Sequence, residues 1–594
     1  MGINQPPDKP SWLEPEQGGK ILNNLVAQLL EVQAPPSESY RTYNFTNPRD
    51  GWIFVSSSTS VPRAGRIVLT IDDGNQDEPV TVHLDGEDEV HEAMRYLSAG
   101  EHTLAVHCEG GASLQSLIVR AIPEIIYPGI GYKPSPFLAG FPRYKWDYLV
   151  RIGMPDNVNV ILEREPEPSM DAEEWRKQGK KIITRSTTHE VAALEKPVTA
   201  EKVYELWAKA PGFARADRDG VMFDELDSSS HDEDYPAYIE AVRRLAETPE
   251  FAGKVFYPYC APMYNGELST AFLRQLIEVG YKFGEEKYIP EQPTQAEAWK
   301  ILEYYLVENT QRYQAVIPDA QKYMILCLGY MTAPPETLNV NPGVDWKVFQ
   351  DMAFNLIANH PTLAGLYGIQ CYHSAYADEE VQRWTVKLLR HYCIEGNRQM
   401  LSTDPYILPH IQNPDFADGT TGWTLSPAEE GSMEVRSAEG YSWLQGRYPP
   451  TTQGNTFLWT KRSAQRPNRF SQQIKKLQPG RLYSFKMFTA DYQCLVQQRD
   501  VKESHQVRVQ IDDVESIPDK SFQEIYPSGL AGHSHGEFNR ENNLWIDYHF
   551  LVFRAKGENA TLTVSDWATD TQPGGPLGQE LIYNFIEVQP YLED

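Results

Sequence analysis

Residues 128–408 alternate short apolar runs with helical patterns, and this alternation limits the fold more than any other feature of the chain. The segments between the runs carry apolar residues three and four positions apart, as amphipathic helices do. Seven strand–helix repeats over about 280 residues predict parallel strands covered by helices, as in a (β/α)8 barrel of the TIM type. The eighth strand has two candidates, at 148–152 and 399–402. The seven predicted strands are 157–163, 181–187, 220–226, 255–260, 281–289, 323–330 and 366–373.

Both sides of this segment change to a strand pattern. Residues 40–127 contain short alternating runs such as GRIVLTIDDG and HTLAVHCEGG, which end in Gly or Asp-Gly as strands closing in tight turns do. Residues 409–594 return to alternating runs such as RLYSFKMFTAD. Residues 1–39 form an irregular lead-in with one candidate helix at 21–30. We predict a multidomain α/β plus all-β chain, in which a central (β/α)8 TIM-type barrel at 128–408 is flanked by N-terminal and C-terminal β-sandwiches.

The charge of the chain excludes one class of partner. Its 54 basic and 82 acidic side chains give a formal net charge of −28, whereas a protein that binds nucleic acid through its phosphates needs a basic face. No stretch reaches ~18 consecutive apolar residues, so we expect no membrane-spanning helix. We expect a secreted, periplasmic or cell-surface protein whose signal peptide has been removed from this sequence, with a cytoplasmic location left open. Free buried thiols are expected for Cys260, Cys327 and Cys371, which lie in apolar runs.

Carboxylates end two of the predicted barrel strands. In a barrel of parallel strands the active site forms at the carboxyl ends of the strands, where Asp224 and Glu225 end GVMFDEL and Glu285 and Glu286 follow YKFG. Neighbouring strand residues point in opposite directions, so one member of each pair faces the barrel mouth. Two facing carboxyl groups are what glycosidic bond cleavage requires, one as proton donor and the other as nucleophile or base. We select Glu225 and Glu286 as catalytic residues, with Asp224 and Glu285 as rivals and helix capping or salt bridges as the structural alternative.

Aromatic and polar side chains at the same strand ends indicate a sugar substrate. Tyrosine rings stack on sugar rings while their hydroxyls form hydrogen bonds, although each tyrosine has rim packing as its structural alternative. Arginines at this position either pair with an acidic sugar or hold the catalytic carboxylates in place. The predicted substrate-binding residues are Glu163, Arg164, Arg185, His189, Tyr259, Tyr264, Tyr330, Tyr372 and His373.

Two motifs resemble known carbohydrate-active proteins. The run NPDFADGTTGWTL at 413–425 resembles the entry of carbohydrate-binding sandwiches of the four/nine type. The order sandwich, barrel, sandwich, with FDEL after an inner strand and GEEKY further on, looks like a multidomain bacterial glycoside hydrolase acting on a polysaccharide. In the largest barrel clan of such retaining enzymes the acid belongs to an Asn-Glu pair after the fourth strand and the nucleophile follows the seventh. Here the pair is Asp224-Glu225, which the predicted count places after the third strand, and Glu286 comes fifth.

Other chemistries lack their sequence signals. The chain has no G-x-x-x-x-G-K-[ST] phosphate loop, no dinucleotide-binding fingerprint in the right setting and no G-x-S-x-G nucleophile elbow. Two metal candidates are the loop GHSHGE, with His533, His535 and Glu537, and the acidic run 227–234. For both we favour a structural interpretation. We predict no metal at the active site and no cofactor, with a structural calcium ion in a sandwich domain as the open alternative.

These observations predict a glycoside hydrolase that cleaves a glycosidic bond in a poly- or oligosaccharide by a two-carboxylate mechanism. Its expected partner is a carbohydrate substrate, with neither nucleic acid nor a membrane, and its oligomeric state is left open. Two other functions stay open. One is a noncatalytic glycan-binding protein on the same barrel scaffold, and the other is a polysaccharide lyase or metal-dependent hydrolase.

Overall fold

A closed barrel and four antiparallel sheets make up the described part of the chain. Two of these sheets precede the barrel in the sequence and two follow it. The computed structural model describes residues 19–35, 39–72, 79–84, 90–130, 144–164, 169–226, 232–334, 336–372, 377–448, 453–528 and 542–593.

The N-terminal sandwich is built from two sheets with an apolar core between them. One sheet has the order β1-β2-β9-β4-β7 and the other β3-β8-β5-β6, and residues such as Ile53, Ile67 and Val119 fill the core. The candidate helix at 21–30 is wrong, because Ala27–Gln33 is a strand that pairs with β9. The strands are β1 (Lys20–Ile21), β2 (Ala27–Gln33), β3 (Tyr40–Asn47), β4 (Gly51–Ser60), β5 (Arg66–Ile71), β6 (Thr81–Leu84), β7 (Val90–Leu97), β8 (Gly100–Glu109) and β9 (Ser113–Ile122).

The barrel contains eight parallel strands, as the TIM-type prediction requires. Each of the seven predicted runs contains one of them, and the closing strand is the first, β10, which pairs with both β11 and β17. The candidate at 148–152 is wrong because it lies largely in a helix, and 399–402 forms no strand. GVMFDEL is therefore the fourth strand, not the third, and Glu286 lies on the sixth, not the fifth. The strands are β10 (Glu124–Ile130), β11 (Val160–Glu163), β12 (Lys181–Thr187), β13 (Gly220–Leu226), β14 (Val255–Cys260), β15 (Phe283–Lys287), β16 (Met324–Gly329) and β17 (Gly368–Tyr372).

Helices cover the barrel with apolar stripes. In α6 the buried side chains of Tyr235, Tyr238 and Val242 lie on one face, as the helical spacing predicts. Among the described residues, no helix is long and apolar enough to cross a bilayer. The helices are α1 (Trp146–Arg151), α2 (Ala172–Lys177), α3 (Thr188–Ala192), α4 (Ala200–Lys209), α5 (Pro211–Ala214), α6 (Tyr235–Glu247), α7 (Glu267–Glu278), α8 (Gln295–Leu302), α9 (Asn309–Val316), α10 (Trp346–Asn359) and α11 (Glu379–Leu388).

The C-terminal sandwich packs a sheet of order β18-β21-β27-β23 against one of order β19-β20-β28-β22-β26-β24, in which β25 also pairs with β26. Its elements are β18 (Thr424–Ser426), β19 (Met433–Ser437), α12 (Tyr441–Leu444), β20 (Thr456–Lys461), β21 (Arg469–Ile474), β22 (Leu482–Asp491), α13 (Tyr492–Val496), β23 (Arg508–Asp512), β24 (Val514–Ser516), β25 (Phe522–Pro527), β26 (Trp545–Ala555), β27 (Ala560–Ser565) and β28 (Glu580–Pro590).

The NPDFADGTTGWTL motif closes the entry turn of this sandwich. The Asn413 amide donates to the carbonyls of Gly419 and Thr421 at 2.9 and 3.2 Å. The Trp423 indole donates to the Asn413 carbonyl at 3.0 Å, and the rings of Phe416 and Trp423 stack in the core with centroids 5.2 Å apart. These motif residues therefore serve the fold of the sandwich, because their rings are buried in its core.

The two sandwiches contact different ends of the barrel. The Trp52 indole of the N-terminal sandwich donates to Glu124, the first residue of β10, at 3.2 Å. The C-terminal sandwich instead contacts the loop after β16, where Thr337 and Arg447 form a bridge. Since strands of the barrel begin at one end and finish at the other, the C-terminal sandwich lies at the end where an active site is expected.

Candidate active site at the barrel mouth

Strand alternation decides which residue of Asp224-Glu225 belongs to the barrel interior. The Phe223 ring packs against Trp207 of α4 and Tyr238 of α6, with centroids 5.1 and 6.4 Å away. Phe223 therefore points toward the helices, and Asp224 on the other face of β13 points inward. Only about 9% of Asp224 is exposed.

The same argument separates Glu285 from Glu286 on β15. Glu285 is completely buried against α9, where it accepts hydrogen bonds from Tyr313, from Lys287 and from Asn309, the last at 3.1 Å. Burial raises the pKa of the Glu285 carboxyl, while the Lys287 ammonium opposes the shift. Glu285 thus serves the packing between barrel and helix, and Glu286 on the opposite face of the strand points into the mouth.

Arg185 binds the Asp224 carboxylate. Its Nε and Nη2 atoms lie 2.6 and 2.5 Å from the same oxygen, Oδ2, of Asp224. Arg185 comes from β12, whose Thr187 lies beside Asp224 in the strand register. A guanidinium in direct contact stabilises the negative form of a carboxylate. The ion pair therefore fixes the position of the Asp224 carboxylate inside the mouth.

Glu286 has the opposite electrostatic environment. The side chain keeps partial access to solvent, but the surrounding barrel desolvates the carboxyl and raises its pKa to about 8, with the Asp224 charge as the second cause. The Tyr288 hydroxyl donates to Glu286 Oε1 at 3.3 Å, and this hydrogen bond lowers the pKa of Glu286, against the other two effects. At neutral pH Glu286 is therefore mostly protonated and able to donate a proton.

Glu225 lies at the rim on a strained backbone. The strand register shifts between Phe223 and Leu226, as in a β-bulge, and Glu225 has a φ of 65°, a left-handed value that is uncommon outside glycine. Its side chain is 50% exposed, and its Oε2 lies 3.0 Å from Nδ1 of His189. The bulge turns Glu225 out of the regular alternation and toward solvent, where it faces the beginning of α3.

Beside Glu286 in the strand register, hydrogen bonds cross the barrel interior. The Tyr259 hydroxyl donates to Oε1 of Gln370, and the Gln370 amide donates to the Cys327 thiol at 3.4 Å. Gly284 leaves room for the Tyr259 ring, since a Cβ at this position would lie 2.7 Å from it. Tyr259 is therefore buried in the floor of the mouth. Cys327 is a buried free thiol, as predicted.

Aromatic rings line one wall above this floor. The Tyr288 and Tyr372 rings stack with centroids 5.8 Å apart and planes 14° apart, and the Arg164 guanidinium lies 5.8 Å from the Tyr372 centroid. Gly329 makes room here as well, because a Cβ would approach the Tyr288 ring to 2.6 Å. Tyr288 was missed by the sequence analysis, although it follows Glu286 by two positions and the strand period places both on one face.

Several predicted site residues lie elsewhere. Glu163 forms a two-pronged ion pair with Arg218, with both distances 2.7 Å, on the helix-facing side of β11. Tyr264 donates to Asn309 at 2.9 Å beside α9, and Tyr330 is 3% exposed. His373 lies outside the described residues. The carboxyl end of a strand thus identifies the right end of the barrel, but only strand alternation separates residues of the mouth from residues under the helices.

Metal candidates receive no support from the described part of the chain. Among its residues no group of three or more His, Cys, Asp or Glu side chains has a metal-binding arrangement. His533, His535 and Glu537, together with residues 227–231 of the acidic run, lie outside the described residues. Asp234, at the end of that run, accepts from Lys196 at 3.2 Å.

Comparison with known proteins yields structural likeness alone. No family model and no curated protein matches the sequence. The endo-β-N-acetylglucosaminidase of Cordyceps militaris is 10% identical, with a TM-score of 0.32 over 45% of this chain and 90% of that one. A GH18 chitinase from Pseudoalteromonas aurantia is 11% identical, with a TM-score of 0.31 over 45% and 98%. The spore cortex-lytic enzyme SleL of Bacillus megaterium is 11% identical, with a TM-score of 0.26 over 45% and 73%. Likenesses of this size assign neither a family nor an activity.

Proposed function

We propose that this chain is a glycoside hydrolase whose active site is the barrel mouth, with Glu286 as general acid and Asp224 as its ionised partner. One observation carries the proposal. Two carboxyl groups of the barrel interior have opposite environments. Desolvation raises the pKa of Glu286 to about 8, whereas the Asp224 carboxylate forms an ion pair with Arg185. A pair with one protonated and one ionised carboxyl group supplies both a proton and a negative charge at neutral pH.

The proposed chemistry follows from these two groups. Glu286 donates its proton to the glycosidic oxygen, so that the leaving sugar departs as an alcohol. The transition state of this cleavage carries positive charge on the remaining sugar, and the Asp224 carboxylate stabilises it. Water bonds to the anomeric carbon in place of the departing oxygen and gives one proton to a carboxylate of the pair, and proton exchange with solvent restores the protonated Glu286. The stacked rings of Tyr288 and Tyr372 provide an aromatic wall of the kind that sugars contact. The mouth thus combines proton donation, charge stabilisation and sugar binding.

Asp224 is preferred to Glu225 as the partner of Glu286, which revises the choice made from the sequence alone. Asp224 lies on the inner face of β13 and contributes more to the raised pKa of Glu286 than Glu225 does. Glu225 is half exposed and paired with His189 at the rim. We therefore assign Glu225 to the approach of substrate or water, outside the reacting pair.

Release of reducing ends from a panel of neutral and acidic glycans tests the proposal. Wild type is compared with Glu286→Gln, Asp224→Asn and Glu225→Gln, each checked for folding by circular dichroism and Tm. We expect Glu286→Gln and Asp224→Asn to lose about 10²- to 10⁴-fold in kcat/KM, and Glu225→Gln to stay within about tenfold of wild type. Equal losses in Glu225→Gln and Asp224→Asn would remove the preference for Asp224.

The same panel separates hydrolysis from simple binding. A glycan that raises the Tm of the wild type but is never cleaved would replace the proposed hydrolase by a glycan-binding protein. Product mass would also identify a lyase, because elimination leaves an unsaturated sugar 18 mass units lighter than the hydrolysis product.

A further inference from the structure

A segment of the C-terminal sandwich is fixed at the barrel mouth by backbone hydrogen bonds. The Thr337 amide, in the loop after β16, donates to the Gly446 carbonyl at 2.7 Å, and the Tyr448 amide donates back to the Thr337 carbonyl at 2.8 Å. These bonds form a parallel bridge between Thr337 and Arg447. Since the loop follows the carboxyl end of a barrel strand, the bridge brings residues 446–448 to the mouth.

Arg447 anchors this segment from inside the sandwich. The side chain is completely buried, and its two Nη atoms lie 2.8 Å from the two carboxylate oxygens of Asp415. The guanidinium also donates to the Val340 carbonyl of the barrel loop at 2.8 Å and lies 4.7 Å from the Phe585 ring centroid. One buried cation therefore binds both the sandwich and the barrel loop, which gives the neighbouring residue a defined position.

Tyr448 turns from this anchor toward the barrel. Its half-buried side chain packs against the apolar cluster of the barrel. Burial raises the pKa of its hydroxyl, with further contributions from Glu336, Glu286 and Tyr305, so the phenol lies within electrostatic reach of the proposed acid. The ring of Trp443, also partly exposed, is 6.1 Å from that of Tyr448 at an angle of 34°.

We propose that Tyr448 and Trp443 form a sugar-binding subsite that the C-terminal sandwich adds to the barrel mouth. This inference rests on the proposed function and extends it in two respects. Adjacent, partly exposed rings provide a surface for stacking further sugar units, so the preferred substrate is a glycan chain of several units. Glu336 adds an acidic side chain beside this subsite and the whole chain carries a net charge of −28, so the glycan it accepts is uncharged, because an anionic sugar would be repelled.

Binding without turnover tests the subsite. In the Glu286→Gln background, isothermal titration with cello-, chito- and manno-oligosaccharides of two to six units is compared for Tyr448→Ala, Tyr448→Phe and Trp443→Ala. We expect affinity to rise with chain length. Tyr448→Ala and Trp443→Ala should each weaken binding of the longest chain about tenfold and binding of the two-unit sugar less than twofold. Tyr448→Phe should keep most of the affinity for the longest chain, because the ring remains. Tyr40→Ala is the matched control, because Tyr40 is 50% exposed on the N-terminal sandwich.

The outcomes distinguish this inference from the proposed function. Cleavage of an oligosaccharide by wild type, with unchanged affinity for long chains in both alanine variants, overturns the subsite and leaves the hydrolase standing. Length-dependent binding that the alanine variants abolish, without any cleavage by wild type, supports the subsite and overturns the hydrolase. Absence of binding to every oligosaccharide of the panel overturns the subsite. If an alanine variant unfolds, Trp443→Leu and Tyr448→Leu give the same comparison, because leucine removes the aromatic face but leaves a larger apolar side chain than alanine.

Discussion

Glu286 is the residue whose protonation governs the proposed reaction, so its pH dependence is the sharpest test at the residue scale. Its pKa is raised from 4.5 to about 8, and the proton is therefore present below pH 8 and lost above it. We expect kcat/KM to fall about tenfold per pH unit above that value. The residual activity of Asp224→Asn should show the falling limb at lower pH, because the negative charge that raises the pKa of Glu286 is gone. Glu225→Gln is the control, in which we expect a smaller shift of the falling limb. A falling limb at the wild-type pH in Asp224→Asn would contradict the assignment of Asp224 as the partner of Glu286.

The two carboxylate pairs show how far sequence reasoning reaches at this scale. On β15 the alternation is regular, and the preference for Glu286 over Glu285 agrees with the face that each residue occupies. On β13 the bulge breaks the alternation at Glu225, so side-chain length was a poor guide to which carboxylate enters the mouth. A bulge depends on how the neighbouring strand pairs, and no local pattern in GVMFDEL indicates it.

At the scale of one strand, β15 contains a glycine, Gly284, that leaves room for the Tyr259 ring of the neighbouring strand β14. Gly284→Ala would place a Cβ 2.7 Å from the Tyr259 ring, whose hydroxyl is fixed by Gln370. We expect a loss of about 1–3 kcal/mol in the free energy of unfolding, together with lower activity because Glu286 is two positions away. Denaturant unfolding and kcat/KM measure the two effects. Gly557→Ala is the control, because its Cβ would have no neighbour closer than 3.9 Å, and equal stability of both variants would contradict this account.

The elements themselves were largely predictable, with one instructive exception. Seven barrel strands carry apolar runs bounded by polar segments, and each run holds a strand of the structure. The closing strand β10 was missed because only Pro123 separates it from β9, so two strands of different sheets appear as one continuous run. Residues 148–152 have the composition of a strand, yet most of them lie in α1, which buries its Tyr148 and Leu149 side chains.

At the scale of the whole molecule, the contribution of one domain to another's site was beyond sequence reasoning. Tyr448 and Glu286 are far apart in the chain, and no pattern of either segment indicates that the two side chains come within electrostatic reach of each other. Their proximity depends on the bridge between Thr337 and Arg447, which joins segments of two domains. The structure gives the C-terminal sandwich a direct place beside the mouth.

Arg447→Lys tests whether this docking matters to the proposed activity. Lysine keeps the charge but cannot reproduce the two-pronged contact with Asp415, and the buried groups left unpaired cost about 1–3 kcal/mol. Because residues 446–448 then lose their anchor, we expect KM for a six-unit substrate to rise about fivefold or more, while kcat/KM for the shortest cleaved substrate changes little.

Arg462→Lys is the matched control for this experiment. Arg462 is 2% exposed in the same sandwich and donates to the carbonyls of Asp566 and Gln506 at 2.7 and 2.8 Å, but none of its described contacts reaches the barrel loop. We expect it to lower Tm as Arg447→Lys does while leaving the chain-length dependence of KM intact. If both variants change that dependence equally, general loss of sandwich stability explains the effect. If only Arg447→Lys changes that dependence, the buried Arg447 side chain maintains the position of Tyr448 at the mouth.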